Sequence, residues 1–175
     1  FQPIVNLSDA SIYAHEALIR GPRGTPLHTP DAFLRAAAQE CLDFEFEYAS
    51  VGAALRHWGH GVRGRLIVNM SAVVLTRLIR SSGMENLLKV IGDLGIVPRM
   101  LVMEITEHER IEDMDAFASV VAEVRAAGVA LALDDFGDGR SSLRLWSEVK
   151  PDFVKIDKYF IREISDRPEN LQMLQ

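Results

Sequence analysis

Leu66-Ile67-Val68-Asn69 is the stretch from which the fold is read: three apolar residues in succession run directly into a side-chain amide. Such a run has no alternating wet and dry face, so it fits a strand covered on both sides, as in a parallel sheet. Outward from it the same pattern recurs at Met100-Leu101-Val102-Met103-Glu104, at Val129-Ala130-Leu131-Ala132-Leu133-Asp134 and at Phe153-Val154-Lys155-Ile156-Asp157. Amphipathic stretches separate these runs, and strands alternating with helices predict βαβ units.

The helices carry start and stop signals. Thr29-Pro30 provides an N-cap and a proline at the first helical position of a long stretch through Phe33 and Leu34. Ser82 and Glu85 have capping-box spacing ahead of Leu87, Leu88 and Ile91. Gly95 and Gly128 stand where helices should stop. Only Ser8-Asp9-Ala10 separates the strand-like segments Phe1 to Leu7 and Ser11 to Ile19, too few residues for a crossover helix, so these two should form an antiparallel hairpin.

The chain has 175 residues, 48% hydrophobic, and a formal charge of −6, the composition of a globular domain and not of a nucleic-acid-binding surface. No nucleic-acid polymer is expected as a partner. Cys41 is the single cysteine, which excludes an intrachain disulfide and suits a reducing, cytoplasmic setting. No apolar run approaches the roughly 20 residues of a membrane span.

Every strand ends in or near a group able to bind a metal or an anion. Glu16 lies in the second hairpin strand, Asn69, Glu104 and the pair Asp134-Asp135 close the next three, and Lys155 lies in the last. In a barrel of parallel strands the C-terminal strand ends converge on one face. A single acid in such a place reads more readily as a cap or a solvated loop residue. The repetition on successive strands points to a site, and the all-oxygen donor set suits Mg²⁺ or Mn²⁺ better than zinc. Asp134 and Asp135 could serve two ions about 3.5 to 4 Å apart, with Lys155 and Arg20 supplying positive charge to a phosphate. His15 alternates with Glu16 and should face the helices. His57, His60 and His108 lack zinc-site spacing, and His28 reads as a loop residue. Phe136-Gly137-Asp138-Gly139 fits a phosphate-cradling loop weakly and a mobile active-site loop as well.

FQPIV, EALIR, NMS, EITE, DDFGDGRSSL and VKID, in this order, resemble the EAL-domain phosphodiesterases that hydrolyse the bacterial second messenger cyclic di-GMP to linear pGpG. The resemblance implies a modified (β/α)₈ barrel with an antiparallel first strand. It implies Glu16, Asn69, Glu104 and Asp134 as ligands of one ion and Asp134 with Asp135 at a second, so two Mg²⁺ or Mn²⁺ ions are the expected cofactors. Glu16, Asp135 and Lys155 would carry the catalytic step, Lys155 by positioning the attacking water. Leu18 and Arg20 would contact substrate, and Gln2 would lie near a guanine. Residues 135–143 resemble the loop that couples metal binding to dimerisation, anchored by Glu107, although Glu107 could also be a further ligand. A homodimer and fused regulatory segments, some membrane-bound, are the partners implied.

The family's AEGVE-type and QGY-type strands have no counterpart after VKID. Residues 1–175 are therefore expected to form only the N-terminal and central part of an EAL domain, an incomplete barrel that would be inactive alone. Two rivals remain: an inactive receptor for cyclic di-GMP or for a protein partner, and an unrelated Mg²⁺-dependent barrel.

Overall fold

The computed structural model describes residues 1–59, 62–106, 111–137 and 142–161. Strands β1 (Gln2–Val5), β2 (Ile12–Ala17), β3 (Arg65–Asn69), β4 (Leu101–Thr106), β5 (Ala130–Phe136) and β6 (Phe153–Ile156) form one sheet in sequential order. β1 pairs antiparallel with β2, and every later pair is parallel. The expected hairpin and parallel sheet are both present. Helices α1 (Pro30–Gln39), α2 (Asp43–His57), α3 (Ala72–Ser82), α4 (Met84–Asp93), α5 (Met114–Ala126), α6 (Ser142–Val149) and the short α7 (Lys158–Ile161) fill the connections.

Alternation along the strands sorts their side chains into two packed sets. Leu66, Val68, Leu101, Met103, Ile105, Leu131 and Leu133 pack with buried helix residues such as Leu75, Ile79, Phe117 and Val121 in the main core. The intervening residues Ala14, Ile67, Val102 and Ala132 form a second, smaller cluster with Ile4 and Phe153 on the other face. Both faces are dry, which is why the strands read as continuous apolar runs. Extending the second set toward the strand ends reaches Glu16, Asn69, Glu104, Asp134 and Lys155 by the two-residue period alone.

Local signals explain most boundaries. Thr29 caps α1 by accepting a hydrogen bond from the Ala32 amide, and Pro30 occupies the first turn. Gly95 and Gly128 follow α4 and α5 with φ of 72° and 83°, a conformation that only glycine adopts without strain. The long helical stretch after Pro30 is two helices, because Cys41 turns the chain at φ 56° and Leu42 donates back to the Ala37 carbonyl across 2.8 Å. Ser82 and Glu85 do not form a capping box. Ser82 is the last residue of α3, where its hydroxyl donates to Leu78, and Gly83 at φ 77° starts α4 instead. His15 faces the helix side as expected, its ring edge-on to Trp58 at 5.5 Å.

Phe117, fully buried on α5, is the largest side chain wedged between that helix and the sheet. Phe117→Ala should lower unfolding stability by about 3–5 kcal/mol in urea denaturation, the range for emptying a fully buried aromatic site. A loss well under 1 kcal/mol would show that α5 does not seal this core.

Candidate active site

Register brings the acids together before any side chain is considered. Gln2 lies opposite Glu16 across the hairpin, Asn69 opposite Glu104, and Thr106 opposite Asp134. Glu16, Glu104 and Asp134 each offer a carboxylate oxygen, and these three atoms lie within 4.8 Å of one another. The Lys155 ammonium sits among them, 3.2 Å from Glu16 Oε2, 3.1 Å from Asp134 Oδ1 and in contact with Glu104 Oε1. Asn69 closes the group by donating its side-chain amide to Glu16 Oε1 across 3.2 Å. Five of the residues singled out from the sequence therefore meet at one place.

Glu104 is the deepest of them at 1% exposure. Burial pushes its carboxyl up to about 8, with the hydrogen bond to Asp134 adding to the rise and Lys155 opposing it. Its Oε2 has no hydrogen-bond partner among the described residues. Burial also acts to raise Asp134, yet hydrogen bonds from Glu104 and Lys155 and the lysine's charge hold it below the ordinary aspartate value. Lys155 is moved the other way: desolvation disfavours its charge, but the surrounding carboxylates outweigh that and keep it cationic well past the usual lysine range.

With every group ionised, three carboxylates against one ammonium leave a formal charge of −2 in a largely dry space. Part of that excess is relieved by protonating Glu104, and a divalent cation would relieve the rest. The donors fit such an ion. All are oxygens once Asn69 presents its amide oxygen, and the unpartnered buried Glu104 oxygen already faces the need for a positive partner.

Asp135 is not among the three acids whose oxygens lie within 4.8 Å of one another. It adopts φ 54°, its amide donates to Asp134 Oδ1 at 2.9 Å, and the β5–β6 register shifts between Leu133 and Phe136. This local departure from strand geometry lets two consecutive acids avoid simple up-and-down alternation. Leu18 and Arg20 line the same cavity as Glu16, Asn69, Glu104 and Asp134, a cleft of about 690 Å³. Arg20 is exposed, with its guanidinium donating to the neighbouring Ile19 carbonyl at 2.8 Å. Gln2 is placed beside Glu16 by pairing and is exposed. Glu107, His60, His108, Asp138 and Gly139 lie outside the described residues.

The cavity wall also contains Glu47, Ser50 and His57 of α2, of which the sequence reading gave no role to the first two. A signal for Glu47 exists. It precedes the buried Val51 by four residues and Leu55 by eight, so an acid stands on the helix stripe that faces the core.

The EAL domain family profile matches residues 1–175. The probable cyclic di-GMP phosphodiesterase PdeB of Escherichia coli K12 is 33% identical over 168 residues, covering 92% of this chain. The chain spans 31% of the length of that protein. The manganese and cyclic di-GMP complex of Klebsiella pneumoniae BlrP1 matches with a TM-score of 0.78 at 31% identity, over 93% of this chain and 41% of that one. A standalone EAL protein of Vibrio cholerae O395 in its c-di-GMP-bound form gives a TM-score of 0.80 at 25% identity, over 99% of this chain and 71% of that one. The six-stranded mixed sheet is accordingly an incomplete version of that barrel, with the first pair antiparallel. By sequence and by strand order, the chain belongs to the EAL-domain family.

Proposed function

We propose that the complete domain, of which residues 1–175 form the N-terminal and central part, is a metal-dependent phosphodiesterase that hydrolyses cyclic di-GMP to linear pGpG. The observation that carries this reading is the meeting of Glu16, Glu104 and Asp134 from three separate strands, their oxygens within 4.8 Å. An assembly of like charges at one mouth is costly unless cations use it.

In this reading Glu16, Asn69, Glu104 and Asp134 hold one Mg²⁺ or Mn²⁺ ion, and Asp134 with Asp135 a second. Bound divalent ions supply an acidified water and stabilise the charge that develops on phosphoryl oxygens. Hydrolysis joins the water oxygen to phosphorus, and the ribose 3′ oxygen leaves carrying a proton. In the metal-free cluster the surrounding carboxylates hold Lys155 cationic, and in this reading it orients the water and the carboxylates through its donors. Arg20 leaves the Ile19 carbonyl to pair with a phosphate, Leu18 forms an apolar wall, and Gln2 reaches a guanine. Glu107 anchors the loop after β5. A bacterial cytoplasmic setting, a homodimer and attached regulatory segments belong to the same reading.

The direct test is hydrolysis of cyclic di-GMP with Mg²⁺ or Mn²⁺ by a version of the domain carrying the strands beyond Gln175. Turnover is expected, and Glu16→Ala should reduce it by about a hundredfold or more through loss of an ion ligand. Activity retained in that variant would defeat the ligand assignment, and binding without turnover in the parent would make the domain a receptor.

Proton linkage provides a second check. Because Glu104 is raised to about 8, an ion binding there displaces a proton at lower pH. Mn²⁺ affinity should therefore climb with pH by up to about tenfold per unit and level off near 8. A flat profile between pH 6 and 8 would show that Glu104 is already ionised there in the metal-free protein and would contradict its raised pKa.

Lys155→Met removes the only ammonium in contact with the three acids among the described residues. Metal-free protein should lose about 3 kcal/mol of stability, as when one partner of a buried pair is deleted. Saturating Mn²⁺ should restore much of it, since ligand that binds only the folded state stabilises it. Equal melting temperatures with and without Mn²⁺ in this variant would argue against an ion at the cluster.

A further inference from the structure

The sheet and the cavity wall are joined by a contact that the proposed chemistry does not use. Glu47, on α2, accepts a hydrogen bond from the Ser71 backbone amide at 2.6 Å through its Oε2. Ser71 is the N-cap of α3, and its own hydroxyl accepts from Val74 at 3.2 Å. The first turn of α3 is thus met by a hydroxyl from within and a carboxylate from outside, both suited to its unsatisfied amides. Only Met70 separates Ser71 from Asn69, and Met70 is itself fixed, 3% exposed and donating its amide to the Glu104 carbonyl at 3.0 Å.

We infer that Glu47 is a positioning residue for the metal site: it clamps the Met70-Ser71 turn to α2 and thereby sets where Asn69 presents its side chain. This rests on the reading of Asn69 as an ion ligand. A carboxylate is poorly placed on a core-facing stripe for packing alone, and burial raises its pKa, with the Ser71 amide working against that rise. Such a contact is explained if it holds a turn whose position matters. Glu47 and Asn69 also line the same cavity, so slack in this turn would be felt where the ligand sits. Outer groups that orient a ligand typically change metal affinity by about 10–100-fold when removed.

Variants of the chain, followed by NMR and by Mn²⁺ titration, test this. In Glu47→Ala the Ser71 amide should move upfield and the Asn69 side-chain amide should broaden or double. Mn²⁺ affinity should fall about tenfold or more. Glu47→Gln keeps an acceptor at the same reach and should restore the Asn69 signal; Glu47→Asp is one methylene short and should not. Should Ala destabilise the fold too far for spectra, the Gln and Asp pair decides alone. An Asn69 signal unchanged in Glu47→Asp, or not restored in Glu47→Gln, would reduce Glu47 to a helix cap and overturn the inference. The Asn69 signal is read without metal, so whether Glu47 positions Asn69 is decided separately from the phosphodiesterase reading, which stands or falls with ion binding and turnover by the extended domain.

Discussion

A carboxylate 1% exposed in the middle of the sheet sets the terms for the rest of the structure. Glu104 cannot ionise there unaided, and its compensation comes from Lys155, two strands away across β5. That contact requires β4, β5 and β6 to lie side by side in parallel, with Asp134 between them. Replacing a whole buried ion pair or triad by apolar side chains of similar size is often neutral or stabilising, although removing one partner alone is not. The arrangement is therefore poorly explained as a device for stability and better explained by a task at the mouth.

The division of labour between the faces of the sheet follows. The helix side packs Leu, Met, Ile and Phe, the bulk of the core, and fixes strand positions independently of the site. The other face has small or modest residues beneath the acids, including Ala14, Val102 and Ala132. Polar groups are confined to the ends of the strands, where the dry layer below them raises the strength of every charge interaction. Because the main core closes without the acids, substitutions among them should bear on electrostatics more than on packing.

Much of this was legible in the chain. Unbroken apolar runs reported strands covered on both faces, and the short Ser8-Asp9-Ala10 link reported the hairpin. The repetition of polar groups at successive strand ends then pointed to one shared site for Glu16, Asn69, Glu104, Asp134 and Lys155. What was not legible depended on single residues of unexpected conformation. Cys41 at φ 56° divides a stretch of continuous helix propensity, and Gly83 takes the capping position one residue after Ser82, whose spacing to Glu85 matches a capping box. Asp135 could be recognised as an acid beside Asp134, but the β5–β6 register shift in which it lies has no signature in local composition. Glu47 was missed because its partner is a backbone amide 24 residues away, and such a contact leaves no pattern in sequence.

The antiparallel first strand has a geometric consequence. In a sheet of wholly parallel strands the polypeptide enters at the end remote from the acids. Here β1 runs against its neighbours, and Gln2 is paired with Glu16, so Phe1 stands at the rim and lines the cleft itself. Any polypeptide joined ahead of Phe1 would emerge beside the mouth, and a pull or twist on that junction would reach the Glu16 strand through a single ladder of hydrogen bonds.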